Sequence, residues 1–180
     1  MHGRHAAWCM IARMYFEMFS QAKKQLRQLD GWLTAASTHA KNRGFDANVF
    51  LASKLAPDQF PFLRQVQLTS DVAIAASRLC GKELPKHDDK EATMEELHAR
   101  LRGSIAYLDG LGPKDFEGAD DRMITHARWD GKVMSGKDYF IEHAVPNFFF
   151  HLTTAYAILR HAGVELGKKD YLGALSKRTP

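Results

Sequence analysis

Two histidines that could bind a metal ion or transfer a proton stand at the ends of the stretch HAVPNFFFH, residues 143–151. His143 and His151 are eight residues apart, which is about 12 Å along an α-helix with a rise of about 1.5 Å per residue. This separation is too large for the two rings to share one ion directly. The stretch therefore supplies at most one ligand to a single site, or it is an aromatic core segment whose histidines have structural partners.

The residues between these histidines constrain the helix that carries them. Pro146 has no amide hydrogen and its ring clashes with the carbonyl of Glu142, so we expect a kink there. Phe148, Phe149 and Phe150 cover much of the circumference of a helix, so at least two of them should meet neighbours in the core. One of the three is then a candidate contact for a dimer partner.

The net charge of +4 and the sequence pI near 9.1 do not by themselves indicate a nucleic-acid-binding protein. The basic residues are scattered, with small clusters only at residues 23–27 and in the tail after residue 167. A nucleic-acid groove should also show aromatic stacking residues or a recognition motif. We therefore expect a solvated helix face and a basic tail, with no nucleic-acid partner.

The chain also lacks the signals of a membrane protein or a disulfide-bonded protein. Its longest apolar stretches, residues 72–76 and 144–150, fall far short of the roughly 18 residues that a membrane helix needs. Its two cysteines, Cys9 and Cys80, have no CxxC or metal-type spacing. We expect a cytoplasmic, reduced protein with no membrane partner.

Four long segments carry apolar residues at the spacing of three and four that amphipathic helices require. The first should end at Gly44, and its buried stripe comprises Phe19, Ala22, Leu26, Leu29, Leu33, Ala36 and Ala40. The second runs from about residue 59 to residue 79. The third follows a capping box that begins at Thr93, and the fourth is capped by Ser135 and stops at Gly163.

The connections between these helices are shorter and more polar. Asp46 is expected to cap a short helix, and residues 82–92 are expected to form a polar connector. Residues 123–139 are not helical in pattern, and Asp130-Gly131 is a type I′ turn signal for a short β-hairpin with Ile124 on one strand and Met134 on the other. The hairpin should lie over one end of the helices.

Together these elements predict an all-α fold, an antiparallel four-helix bundle with a short β-hairpin between helices three and four. At 180 residues the chain is long enough for one well-buried domain. We expect residues 14–180 to form this single domain. Residues 1–13 should be an N-terminal extension outside the fold.

Several motifs spread along the chain indicate a family. They are LAPDQFP (residues 55–61), RQVQ (64–67), VPNFFFH (145–151), TAYAILR (154–160) and GVELGKKDYLG (163–173). With them, the chain from Met14 to Gly173 resembles the DUF1993 family, a domain of unknown function within the DinB/YfiT-like superfamily of helical bundles.

The resemblance implies a position for a metal site and also a defect in it. Many DinB-like proteins bind a divalent metal through one His on the second helix and an HxxxH pair on the fourth. Placed on this sequence, the second His of the pair is His151, the first falls on Asn147, and the second-helix position falls near Gln65. Carboxamides are weak ligands beside imidazole, so the site looks degraded and we expect no metal, with His151 the one strong candidate ligand. The alternative is a divalent zinc or nickel ion.

Three interpretations of this polar cluster remain open. Gln65, Asn147 and His151, with His143 and Tyr156 as further candidates, could form a buried hydrogen-bond network that fixes helix two against helix four. They could instead line a small-molecule pocket, or they could retain a working metal site. Gln67 and Asp71 could extend the network or face solvent.

The same alternatives give three hypotheses for function. The favoured one is a protein without assignable catalysis that is structural or binds a small ligand, and that forms a homodimer. The second is a metal-dependent DinB-type enzyme, a thiol transferase or hydrolase. The third is a protein-interaction module that uses the hairpin and residues 167–180.

Overall fold

The protein is described by a computed structural model that covers residues 2–83 and 87–179, with side chains described from Met10 onward. Within these residues the fold is mostly helical, with one two-stranded antiparallel sheet. The α-helices are α1 (His2–Arg43), α2 (Phe62–Ser70), α3 (Val72–Cys80), α4 (Met94–Asp109), α5 (Gly136–Asp138), α6 (Val145–His161) and α7 (Lys168–Leu172). The strands are β1 (Met123–Thr125) and β2 (Val133–Ser135).

Helix α1 supplies one wall of the core along most of its length. Every residue of its expected apolar stripe, from Phe19 to Ala40, is buried, which confirms the periodicity. The helix ends at Arg43, and Gly44 follows with a positive φ of 76°. It begins at His2, so residues 2–13 continue the same helix, and Ala12 is buried in the core.

The expected single second helix is in fact two helices, α2 and α3, which meet at Asp71. Two residues just before the break have side-chain hydroxyls that bond to backbone carbonyls of α2. Thr69 Oγ1 donates to the carbonyl of Gln65 at 2.7 Å, and Ser70 Oγ donates to that of Gln67 at 2.6 Å. Such side-chain bonds compete with the backbone ladder and are known to bend helices.

The expected caps and short helices are largely confirmed. Asp46 accepts a hydrogen bond from the amide of Asn48 and caps the 3-10 helix Ala47–Ala52. Thr93 and Glu96 form the capping box that opens α4. A second 3-10 helix, Pro113–Phe116, packs against α1.

The hairpin exists, but its turn is longer than the Asp130-Gly131 signal suggests. Strand β1 pairs with β2 in a register that matches Thr125 with Val133, so seven residues connect them. Asp130 and Gly131 both have positive φ, as the turn signal requires. The 3-10 helix Ala127–Trp129 comes first, and it carries Arg128 and Trp129.

The approach to Pro146 contains a wider helical turn. Ser135 caps α5, as expected, and residues Tyr139–Ala144 then form a π-helical segment that leads into α6. Here the amide of Val145 donates to the carbonyl of Phe140, five residues back. Pro146 therefore sits in the first turn of α6, where a missing amide costs little.

The core lies between α1, α2, α4 and α6. Helix α1 packs against α4, and α2 packs against α6 and α4. The largest fully buried side chains include Trp32, Phe62, Phe148, Leu97 and Leu101. In the described part of the chain, no helix has the length and apolar character needed to cross a membrane.

Candidate functional site

The structure brings Gln65 of α2 and His151 of α6 together in the core. His151 Nδ1 lies 2.8 Å from Gln65 Oε1, and both side chains are buried. Gln65 Nε2 donates to the carbonyl of Phe60 at 3.0 Å. The two bonds fix the orientation of the amide group and join the two helices.

This geometry also fixes the proton on the imidazole. Because Gln65 Oε1 can only accept, His151 Nδ1 must carry the hydrogen, and Nε2 keeps its lone pair. Burial, together with the positive charge of Arg64, lowers the pKa of His151 to about 4. His151 is therefore a neutral imidazole with a fixed tautomer near neutral pH.

The side chains present do not fit the divalent metal that the superfamily implies. Gln65 commits its amide oxygen to His151, and the position one turn before His151 carries the carboxamide of Asn147. This donor set contains one imidazole, where zinc and nickel sites favour several nitrogen or sulfur ligands. Among residues 2–83 and 87–179, no group of three His, Cys, Asp or Glu side chains could hold a metal ion.

Tyr156 belongs to a different part of the molecule. Its ring contacts Trp32 edge-on at 5.4 Å between centroids and Tyr171 at 5.6 Å. These contacts fasten α7 to α1 and α6. Tyr156 is thus separate from the Gln65–His151 pair.

Asn147 and His143 line a cleft rather than joining that pair. The cleft has a volume of about 210 Å³ and lies between the α2–α3 face, the hairpin loop and the segment from Tyr139 to Phe148. Its α2–α3 face includes Arg64, Asp71 and Arg78. We refer to this space as the arginine cleft.

Aromatic rings form the side of the arginine cleft opposite α2 and α3. His143 stacks on Tyr139 at 5.3 Å between centroids and meets Trp129 edge-on at 5.6 Å. His126 lies 5.7 Å from Trp129 and 6.2 Å from His143. The hairpin loop and the π-helical segment therefore present one continuous aromatic surface.

Three arginines and one aspartate give the arginine cleft a positive balance. Arg64 pairs with Asp89 at 2.7 Å, and Asp71 pairs with Arg100 at 2.9 Å. Arg78 and Arg128 have no carboxylate within 4.0 Å among the described residues. The positive charge that remains uncompensated therefore belongs to these two side chains.

Both histidines of the arginine cleft are neutral at physiological pH. Burial lowers the pKa of His143 and of His126, and the charge of Arg78 lowers both further. His126 Nδ1 accepts from the amide of Arg128 at 3.1 Å, so its proton is on Nε2. His143 Nδ1 is buried and has no hydrogen-bond partner among the described residues.

A buried ionic network lies behind the arginine cleft, centred on Arg100 of α4. Its guanidinium is 1% exposed and contacts Asp71 at 2.9 Å, Asp89 at 2.8 Å and Glu91 at 3.0 Å. Its Nε donates to Ser70 Oγ at 2.6 Å. The expected connector 82–92 thus supplies two carboxylates, those of Asp89 and Glu91, to the guanidinium of Arg100.

Gln67 and Asp71 both extend this network. Gln67 is buried, and its Nε2 donates to Glu91 Oε2 at 2.7 Å. Its Oε1 accepts from Arg64 at 3.0 Å. Asp71 contacts Arg100 and also lines the arginine cleft, so it connects the network to the cleft.

Sequence reasoning missed the arginine cleft, although one signal was present. Positions 64, 68, 71, 75 and 78 alternate steps of four and three and all line the cleft. That spacing places Arg64, Asp71 and Arg78 on one helix face. The contributions of Arg128 and Trp129 had no such signal, because the seven-residue hairpin loop determines where they lie.

Comparisons with known proteins agree with this architecture. The family model described as "Domain of unknown function (DUF1993)" matches residues 14–172. The crystal structure of a DinB family member protein from Shewanella denitrificans is 42% identical, with a TM-score of 0.91 over 96% of this chain and 99% of that chain. No curated protein matches the chain. The resemblance read from the motifs is thus confirmed, and the chain belongs to the DUF1993 family.

Proposed function

We propose that this DUF1993 protein binds a small organic molecule in the arginine cleft. The observation that carries the proposal is the combination, in one concave space, of an aromatic wall with a guanidinium that has no carboxylate partner among the described residues. Ligand pockets typically combine apolar and aromatic walls with a few placed polar groups. Trp129 and His143 provide the aromatic wall, and Arg78 provides the polar group.

The size of the arginine cleft favours a small metabolite. Its 210 Å³ is below the roughly 300 to 1,000 Å³ of pockets that hold drug-sized ligands. A single substituted ring fits this space better than a nucleotide or a peptide.

The favoured function is binding rather than metal-dependent catalysis. Gln65, Asn147 and His151 offer too few nitrogen ligands for zinc or nickel, and the carboxamide of Gln65 already serves His151. The role of Gln65 and His151 in this proposal is structural, because the pair holds α2 against α6 and so supports the two faces of the arginine cleft.

A fragment screen by NMR on the uniformly labelled full chain tests the proposal. The indole N–H of Trp129 is the reporter, and a Trp129→Phe variant assigns its signal. We expect several ring-containing fragments to shift this signal in a saturable way. The proposal fails if saturable shifts from the library map elsewhere and leave Trp129 unchanged.

The assembly and location of the protein complete the proposal. We propose that α1, α2–α3, α4 and α6 form an antiparallel four-helix bundle and that the cytoplasmic protein is a homodimer. Phe150 on α6, which is 60% exposed, supports a contact with a second copy. Light scattering should report twice the 20.3 kDa chain mass, and the Phe150→Asp variant should have the mass of a single chain. A monomeric mass for the unmodified chain would exclude the dimer.

A further inference from the structure

Arg78 is the side chain of the arginine cleft that most needs a partner. It is partly buried, and its one hydrogen bond within the described residues is a long contact of 3.4 Å from Nη1 to the hydroxyl of Tyr139. Its guanidinium carbon lies 6.0 Å from the centroid of the Tyr139 ring. Burying a charge is costly unless an opposite charge or several hydrogen bonds compensate it. An incoming anion would provide that compensation.

The neighbouring carboxylates are not available to Arg78. Asp71 is held by Arg100, and Asp89 is shared between Arg64 and Arg100. A guanidinium offers five donors in a planar fork that matches a carboxylate or a phosphate. Among the described residues, the guanidinium of Arg78 therefore has the Tyr139 hydroxyl as its acceptor and no carboxylate.

Of the two histidines of the arginine cleft, His126 adds a neutral donor to this space. His126 carries its proton on Nε2, since its Nδ1 accepts from the amide of Arg128. His143 Nδ1 is buried without a hydrogen-bond partner among the described residues. An anion beside Arg78 could accept from His126 Nε2, whereas a cation would be repelled by Arg78 and Arg128.

The aromatic wall defines the rest of the ligand. The rings of Trp129 and Tyr139 meet edge-on at 6.1 Å between centroids, and His143 contacts both. Aromatic rings prefer offset-stacked or edge-to-face neighbours at about 4.5 to 7 Å. A flat ring in the ligand would satisfy this preference better than an alkyl chain.

We infer that the ligand of the arginine cleft is a small aromatic anion, a ring carrying a carboxylate or a phosphate, with the anion on Arg78 and the ring beside Trp129 and His143. This inference rests on the proposed function and specifies its ligand class. Arg128, which is exposed at the rim, attracts the anion from solution.

Sodium benzoate, phenyl phosphate and the neutral benzyl alcohol test the inference, each titrated into the labelled full chain with the Trp129 indole as reporter. For ligands of this size we expect dissociation constants of about 1 to 10 mM. At least one of the two anions should bind about tenfold more tightly than benzyl alcohol. Its affinity should fall as salt is raised from about 20 to 200 mM, because the contact is electrostatic.

Arg78→Gln should weaken binding of the preferred anion at least fivefold and leave benzyl alcohol unaffected. Arg43→Gln, the same chemical change at a distant pocket lined by Arg43 and His39, should alter neither. Arg78→Lys keeps the charge and provides a second variant, which should retain part of the preference. A melting curve for each variant verifies that it is folded.

The outcomes separate the ligand class from the binding function. Preference for benzoate over phenyl phosphate assigns a carboxylate ligand, and the reverse assigns a phosphate. Equal binding of benzyl alcohol and the anions, or full anion affinity in Arg78→Gln, overturns the aromatic-anion inference while leaving ligand binding in place. Absence of any Trp129 shift from the probes and from the fragment library overturns both.

Discussion

Two arginines on neighbouring helices, Arg100 and Arg78, have opposite environments. Arg100 is almost completely buried, and three carboxylates and a hydroxyl surround its guanidinium. Arg78 is less buried, and within the described residues it meets the Tyr139 hydroxyl and no carboxylate. Asp71 stands between them, since it pairs with Arg100 and lines the arginine cleft. A guanidinium whose partners are supplied by the chain stabilises the fold, whereas one without such partners can hold a ligand.

The largest effect should come from removing the buried cation. Arg100→Met should destabilise the protein by about 3 to 5 kcal/mol, because it leaves Asp71 and Glu91 without their shared counter-charge and leaves Asp89 with Arg64 alone. Urea unfolding followed by circular dichroism measures this change. Arg102→Met is the matched control on the same helix, since Arg102 pairs on the surface with Glu95 and should barely alter stability. A loss below about 1 kcal/mol for Arg100→Met would show that the network is not structural.

Acid should reduce the stability that comes from the second group with partners inside the protein, the hydrogen-bonded Gln65–His151 pair. The pKa of His151 is lowered from 6.5 to about 4, so the unfolded chain takes up a proton that the folded chain excludes. The stability from this group is complete above pH 6.5 and declines as the pH falls towards 4, by up to about 3 kcal/mol at about 1.4 kcal/mol per pKa unit.

Unfolding free energies between pH 7 and pH 4.5 should therefore fall more steeply for the unmodified chain than for His151→Gln. The variant has no titrating group at this position, and the carboxylates that titrate are common to both proteins. Parallel curves would mean that His151 takes up its proton at the same pH in the folded and unfolded protein, so that burial does not lower its pKa.

Removing Arg78 should change binding rather than stability. Arg78→Gln should alter the free energy of unfolding by less than about 1 kcal/mol, because none of the described carboxylates pairs with Arg78 and would be left unpaired. Urea unfolding measures this change in free energy, and it can be compared directly with the change for Arg100→Met. A loss as large as that of Arg100→Met would mean that Arg78 has a structural role and would remove the distinction between the two arginines.

The smallest effect should come from the aromatic wall. Trp129→Ala should reduce the binding free energies of benzoate and benzyl alcohol by the same amount, about 0.5 to 1.5 kcal/mol, because a ring contact does not distinguish the two probes. Calorimetric titration measures both affinities without the indole reporter. A selective loss of benzoate would place the anion, rather than the ring, beside Trp129.

Local patterns in the sequence predicted the core well. The stripe from Phe19 to Ala40 and the capping box at Thr93 depend on residues within a few turns of each other, so periodicity and cap chemistry identify them. The break at Asp71 was not predicted, because apolar spacing alone indicates one continuous helix from about residue 59 to residue 79.

The candidate sites required information from distant parts of the chain. Gln65 and His151 were placed by the family resemblance, and the structure brings them within hydrogen-bond distance. The Arg100 network could not be predicted because two of its carboxylates come from a segment that reads as a polar connector. The arginine cleft depends on a hairpin loop whose length the Asp130-Gly131 signal does not determine.

A crystal structure of the full chain with the preferred probe, benzoate or phenyl phosphate, tests the central claim most directly. The account predicts the anion within hydrogen-bond distance of the Arg78 guanidinium, with the ring against Trp129 and His143 and the Arg100 network unchanged. A probe bound elsewhere, with Arg78 still in contact only with Tyr139, would contradict it.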